Sequence, residues 1–163
     1  MNSISSLEIK RPLWHGAIAL IAGFWLSAIF IVDLLLMPSL YLSGMMTTAN
    51  FASAGYVLFW NFNRVELLSA ALMMTGVLVL IRTEKENNLR IPLFAALILL
   101  SIALIDTYFF TPQMCAVGIN LNFFAETVPV PSTMDIMHGG YWLLEMIKIF
   151  GCAMLLKLYW QRA

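Results

Sequence analysis

Seven ionisable side chains lie in or beside the most apolar stretches of this 163-residue chain. They are Asp33, Arg64, Glu66, Asp106, His138, Glu145 and Lys148. Each ionised group near the middle of a membrane-spanning helix costs about 2.5 to 3.5 kcal/mol, so such groups face the inside of a helix bundle and find partners there. We treat them as a candidate polar cluster with three interpretations. One is a neutralised seam that fixes how the helices pack. The second is a path for protons, metal ions or a small solute, and the third is a catalytic centre.

Part of this cluster falls on one face of the last apolar stretch. The residues that recur there at helical spacing are His138, Tyr141 or Trp142, Glu145 and Lys148. Positions three or four apart are neighbours on a helix, so we expect Glu145 and Lys148 to pair with each other. The other five members are predicted to lie at similar depth in the outer half of the membrane, with this pair below them.

Candidate ligands for haem or copper are few. The two histidines, His15 and His138, begin different apolar stretches on opposite sides, so we expect them about 30 Å apart and unable to hold one haem within one chain. A haem held by a histidine and a methionine, or shared between protomers, stays an alternative. Soft ligands for Cu(I) are offered by Met45-Met46, Met73-Met74 and Met114, although methionine more often fills gaps in apolar cores. We therefore predict no cofactor.

Motifs of soluble enzymes are absent from the chain. It has no Gly-rich phosphate loop, no G-x-S-x-G elbow, no H-E-x-x-H and no C-x-x-C. Cys115 and Cys152 fall at different depths, so we expect no disulfide between them. We assign no catalytic residue, and the motifs give no argument for an enzyme.

The elements that must position the cluster are membrane-spanning helices. Hydrophobic residues make up 61% of the chain and charged residues 11%, a balance far from that of a soluble domain. Because a span needs about 20 mostly apolar residues, we predict four of them. They are Gly16 to Met37, Asn61 to Ile81, Ile91 to Phe110 and Gly139 to Trp160. The predicted fold is all-α: one four-helix transmembrane bundle over residues 1–163, with no separate soluble domain.

Basic residues predict the orientation of this bundle. Seven of them fall on one side, namely Lys10, Arg11, Arg82, Lys85, Arg90, Lys157 and Arg162, whereas the opposite connections carry only Arg64. The positive-inside rule then places both ends of the chain in the cytoplasm. The net charge is zero, so nothing suggests a nucleic-acid partner.

The first and third spans look like copies of each other. Asp33 is followed by Pro38 and Gly44, and Asp106 is followed by Pro112 and Gly118, so the proline-to-glycine spacing is the same. Two parallel helical hairpins related by an axis along the membrane normal would produce this pattern, as in some transporters. Chance similarity is the alternative.

The chain resembles the transmembrane protein 205-like family of four-helix membrane domains, whose biochemical role is largely undefined. The matching residues are Gly23, Trp25 and Pro38, then Leu58-Phe59 and Phe62, then Asp106 and Pro112, and finally His138-Gly139 and Glu145. The runs from Asn61 to Leu67 and from Tyr141 to Glu145 look most like cyanobacterial members, which implies a plasma (inner) membrane or a thylakoid membrane. More remotely, the Gly-x-Trp step with Pro38 is similar to copper-resistance D-type domains and to the bacterial membrane protoporphyrinogen oxidase. That similarity keeps copper handling and haem or quinone redox chemistry as alternatives.

The small size and the missing catalytic motifs favour a protein that acts by binding. Gly16, Ala19, Gly23 and Ser27 form a stripe of small residues suited to close helix contact. We expect an accessory, assembly or stabilising protein of the lipid bilayer that docks on other membrane subunits or on itself. The main alternative is a conduit for protons, copper or another metal, or a small solute through the polar cluster.

Overall fold

A computed structural model of the chain describes residues 3–45, 51–83, 90–123 and 132–162, with side chains for 13–45, 51, 53–83, 90–118 and 136–162. Its helical elements are α1 (Ser3–Ile29), a first π-helical segment (Phe30–Leu36), α2 (Met37–Leu42), α3 (Phe51–Thr83), α4 (Arg90–Ile105), a second π-helical segment (Asp106–Phe110), α5 (Thr111–Phe123) and α6 (Ser132–Trp160). Because each π segment continues the helix before it into the helix after it, the described residues form four long helices. The prediction of an all-α fold is confirmed for these residues.

Three of the long helices are long and apolar enough to cross a membrane: Leu13–Leu42, Ser53–Thr83 and Arg90–Gly118. They contain the first three predicted spans. The first and third helices continue past Met37 and Phe110, the predicted outer ends of these spans, and run through Pro38 and Pro112. The fourth long helix, α6, has 29 residues, and its apolar sequence is interrupted by Glu145 and Lys148.

Each π segment contains an aspartate and is followed by a proline within the same continuing helix, Asp33 with Pro38 and Asp106 with Pro112. The Met37 N–H donates to the Val32 carbonyl, and the Thr111 N–H donates to the Asp106 carbonyl, each five residues back. A proline ring clashes with the carbonyl four residues earlier in a regular α-helix, and a wider π turn relieves that crowding. The likeness between the two helices ends at the glycines, because Gly44 (φ 73°) terminates its helix whereas Gly118 lies inside α5.

The four long helices form a ring, in which the first and third helices each lie between α3 and α6. The backbone of α1 lies next to those of α6 and α3, and the backbone of α4 also lies next to those of α3 and α6, whereas no described Cα of α1 comes within 8 Å of one of α4. The first and third helices therefore lie diagonally across the bundle. This position is compatible with the predicted pair of hairpin repeats, which stays a prediction.

The bundle interior is tightly packed at two glycines. A Cβ on Gly76 of α3 would lie 2.8 Å from Ile18 Cγ1 of α1, and a Cβ on Gly151 of α6 would lie 3.0 Å from Leu99 Cδ2 of α4. The absence of a side chain lets each helix approach its neighbour. Nearer one end of α6, the His15 and Tyr159 rings stack with their centroids 5.7 Å apart. This interior also encloses Glu66, Asp106, Glu145 and Lys148.

Candidate functional site

Lys148 of α6 is the centre of a fully buried ionic cluster. Its Nζ lies 2.8 Å from Glu66 Oε2 and 2.9 Å from Glu66 Oε1, 3.0 Å from Asp106 Oδ2 and 2.5 Å from Glu145 Oε1. None of these four side chains is exposed. Both Glu66 oxygens accept hydrogen bonds from Nζ, whereas Asp106 Oδ2 and Glu145 Oε1 lie at ion-pair distance from it. The expected pairing of Glu145 with Lys148 is confirmed, but it is one contact among several.

Each long helix contributes one carboxyl group to this region. Asp33 comes from the first, Glu66 from α3, Asp106 from the third and Glu145 from α6. Asp33 and Asp106 belong to the two π segments. An extra residue in a helical turn changes the direction of the side chains that follow, and such turns occur often at functional sites. Residues far apart in sequence thereby meet in the interior.

Two aromatic side chains donate hydrogen bonds to the carboxyl groups. Trp25 Nε1 donates to Glu66 Oε1 at 2.9 Å, and the Tyr141 hydroxyl donates to Asp33 Oδ1 at 3.2 Å. Lys148 Nζ also lies 5.7 Å from the centre of the Tyr141 ring. Tyr141 thus links Asp33 to the ions around Lys148.

The described residues around the cluster supply too few donors and too little positive charge for four ionised carboxylates. Lys148, Trp25 and Tyr141 together offer five N–H or O–H donors to eight carboxylate oxygens. Asp33 Oδ2, both carboxyl oxygens of Asp106 and both of Glu145 are buried and accept no hydrogen bond among the described residues. Four carboxylates and one ammonium would carry a net charge of −3, and burying unbalanced charge costs several kcal/mol per ion. The described side chains therefore do not balance four ionised carboxylates.

Three of the carboxyl groups are close enough to share one cation. Oxygens of Glu66, Asp106 and Glu145 lie within 4.8 Å of one another. At an effective dielectric constant of about 20, two carboxylates at that distance repel each other by roughly 3.5 kcal/mol. The Lys148 ammonium already contacts all three. These all-oxygen ligands suit protons or hard cations, whereas Cu(I) prefers sulfur.

Two predicted members of the polar cluster lie elsewhere. Arg64 is exposed, and its guanidinium lies 4.3 Å from the centre of the Trp60 ring, which it contacts as a cation on an aromatic face. His138 is also exposed, two turns before Glu145 on α6. The structure therefore brings together Asp33, Glu66, Asp106, Glu145 and Lys148, which we call the carboxylate–lysine cluster, and leaves Arg64 and His138 outside it. The predicted depths of these residues in the membrane stay a prediction, while the contacts of Lys148 with Glu66 and Asp106 join the Glu145–Lys148 pair to the other carboxyl groups.

The sequence reasoning missed the role of Trp25, since an indole in an apolar helix looks like core. It also missed a second buried polar contact, in which Asn63 Nδ2 donates to Thr111 Oγ1 at 2.6 Å. The available signals were Asn63, which precedes Glu66 by about one turn of α3, and Thr111, which directly follows the second π segment. This contact joins α3 to the third long helix beside the cluster.

The histidines are placed far apart, as expected. His15 stacks on Tyr159, and 21 residues of α6 separate Tyr159 from His138, or about 31 Å at 1.5 Å per residue. One haem cannot bridge them within a chain.

Comparisons with family models, with curated proteins and with solved structures found no match. The interpretation of the cluster therefore depends on its own geometry and charge.

Proposed function

We propose that this protein is a membrane-embedded proton conduit in which the carboxylate–lysine cluster binds and releases the protons. The observation that carries the proposal is the burial of four carboxyl groups around one ammonium group. A protonated carboxyl loses its negative charge and gains an O–H donor. Each proton bound would therefore correct both the excess of charge and the shortage of donors.

The layout of the cluster supports transfer as well as binding. Tyr141 lies between Asp33 and the ions around Lys148, and a hydroxyl both donates and accepts hydrogen bonds. Chains of such groups in a membrane interior are typical of proton relays. Asp33 is the one of the four carboxyl groups that lies outside the set of three within 4.8 Å of one another. We therefore assign to Asp33 the exchange of protons with the outer side of the membrane.

The proposal treats α6 as the fourth span, with both ends of the chain in the cytoplasm. α6 has 29 residues, about 44 Å of helix, which exceeds the hydrocarbon thickness of about 30 Å. Its two central charges, Glu145 and Lys148, are fully buried among the other helices and do not face lipid. The positive-inside rule supplies the orientation. The resemblance to the transmembrane protein 205-like family supports a plasma (inner) or thylakoid membrane.

Reconstitution into liposomes tests the conduit directly. With a pH-sensitive dye inside and an imposed membrane potential, we expect acidification that empty liposomes do not show. Glu145→Gln and Asp106→Asn should each abolish it, because each removes a proton-binding group from the cluster. Arg64→Gln should retain it, since Arg64 is a charged residue of α3 that lies outside the cluster. Unchanged flux in both carboxyl variants, with the bundle folded, would exclude the cluster as the path.

A hard metal ion is the second candidate for the transported species. The three carboxyl groups within 4.8 Å offer the oxygen ligands that Mg²⁺, Mn²⁺ or Ca²⁺ prefer. The same liposomes loaded with a divalent-cation dye separate the two species. Metal entry without acidification would replace the proton proposal.

The role as an accessory or stabilising subunit stays a prediction. Large apolar side chains are exposed on all four long helices, among them Leu20, Leu72, Phe94 and Phe150, and either lipid or another membrane protein can cover them. The size of the gently solubilised protein tests this role. A monomer with no co-purifying subunit would contradict it.

A further inference from the structure

An open groove lies between α1 and α6, and none of the residues that line it belongs to the carboxylate–lysine cluster. Its volume is about 980 Å³, at the upper end of the range for small-molecule sites, and it is open to the outside of the bundle. The residues that line it are Ala19, Leu20, Gly23, Phe24, Ser27, Ala153, Leu156, Lys157, Trp160 and Gln161. Small residues leave its floor open, because Ala19 is buried and a Cβ added to Gly23 would still lie 3.7 Å from the nearest Leu156 carbon.

The groove is apolar at one end and polar at the other. Towards the apolar end, the Ser27 hydroxyl donates to the Gly23 carbonyl at 2.8 Å, so its hydrogen-bonding donor is already used. Towards the polar end lie Lys157, Trp160 and Gln161, in the last turns of α6 and just after it. Lys157 is the one charged residue in the lining, it is exposed, and it pairs with no carboxylate among the described side chains.

We infer that this groove binds an anionic glycerophospholipid, with an acyl chain on the apolar floor and the phosphate on Lys157. The groove is complementary to an amphiphile. Its apolar end would contact the acyl chain through Gly23, Phe24 and Ala153, and the Lys157 ammonium group would contact the negative head group. Trp160 lies at the polar end, the position that indole rings take at the membrane–water interface. Basic residues between helices at that depth are a known means of holding anionic head groups.

Native mass spectrometry of the protein released from vesicles of equal phosphatidylglycerol and phosphatidylcholine tests the site. A basic residue near the membrane surface contributes about 1 kcal/mol to binding an anionic lipid, so we expect phosphatidylglycerol to be retained about fivefold over phosphatidylcholine. Lys157→Gln should remove this preference. Gly23→Leu should lower retention of both lipids, because the new side chain fills the floor. Arg82→Gln, which removes an exposed basic residue outside the groove, should keep the preference.

Equal retention of the two lipids by the native protein would overturn the inference, as would a preference that survives Lys157→Gln. Dimer masses without bound lipid, together with cross-linking through Leu20→Cys, would also overturn it by identifying the groove as an interface between copies. If Gly23→Leu fails to fold, Lys157→Gln alone tests the inference. Lys157 is exposed and takes no part in core packing, so this variant should fold.

Discussion

Lys148 Nζ lies 2.8 Å from Glu66 Oε2, although the two residues come from different helices and stand 82 positions apart. Neither side chain is exposed. A buried ion pair of this kind offsets its desolvation only when geometry and further hydrogen bonds are favourable. Here one ammonium group faces three carboxyl groups, so it cannot neutralise all of them. We expect this charge imbalance to determine how substitutions in the cluster change stability.

Lys148→Met should destabilise the bundle strongly. It removes the one ammonium group from among four carboxyl groups, and breaking a buried ion pair costs about 3 to 5 kcal/mol. The loss should be smaller at acidic pH, where carboxyl groups that gain protons no longer repel each other. Unfolding in detergent as a function of pH measures the free energy. Arg64→Met, at an exposed site, should stay within about 0.5 kcal/mol of the native protein.

The same measurement on the double variant Lys148→Met with Glu66→Gln separates charge from packing. Removing one negative charge along with the positive one should recover part of the stability. A double variant that is no more stable than Lys148→Met would contradict the charge argument.

Trp25→Phe should cost about 1.5 to 3 kcal/mol, the usual value of a hydrogen bond to a charged group. The indole N–H donates to Glu66 Oε1 at 2.9 Å, and a phenyl ring keeps most of the apolar contact but has no donor. Trp142→Phe is the matched control, because Trp142 is 42% exposed on α6. Equal losses in the two variants would show that the hydrogen bond contributes nothing specific.

Tyr141→Phe should slow proton entry into liposomes while leaving the bundle folded. It removes the hydroxyl that donates to Asp33 Oδ1 at 3.2 Å and costs about 1 kcal/mol of stability. Tyr108→Phe, at an exposed tyrosine of the second π segment, should leave the flux unchanged. Native flux in Tyr141→Phe would remove the tyrosine from the path.

Infrared spectroscopy at neutral pH should detect protonated carboxylic acids in this protein. A cluster with one cation and four carboxyl groups approaches neutrality only if some of them carry protons. Asp106→Asn or Glu145→Gln should reduce the carbonyl band of the acid form. A native spectrum with no such band would mean that all four groups are ionised, and would contradict the proposed proton binding.

Gly76→Ala should destabilise the bundle by about 1 to 3 kcal/mol, because the new Cβ would lie 2.8 Å from Ile18 Cγ1. Gly55→Ala lies on the same helix with open space around it and should be neutral or stabilising, since alanine favours helix over glycine by about 1 kcal/mol. Thermal unfolding of the two variants compares them directly. A tolerated Gly76→Ala would show that α1 and α3 can move apart.

The depth of a polar residue in a helix is readable from sequence, but its direction is not. Arg64 and Glu66 were expected at one depth and in one cluster. Residues two positions apart on a helix point to nearly opposite sides. The rotation of α3 about its axis buries Glu66 and leaves Arg64 exposed. Packing sets this rotation, and small-residue contacts such as Gly76 against Ile18 decide it. Trp25 was missed for the same reason, because only its direction reveals that its N–H meets Glu66.

By itself, the sequence determined the all-helical fold, three of the membrane-length helices and the carboxyl group that each long helix carries. Those features follow from local composition, because an apolar run of sufficient length forms a helix in lipid whatever its neighbours are. Only the tertiary structure decided that Asp33, Glu66, Asp106 and Glu145 come together around Lys148. That outcome depends on the order of helices around the bundle, on their rotation and on the two π segments, none of which is a property of a single helix.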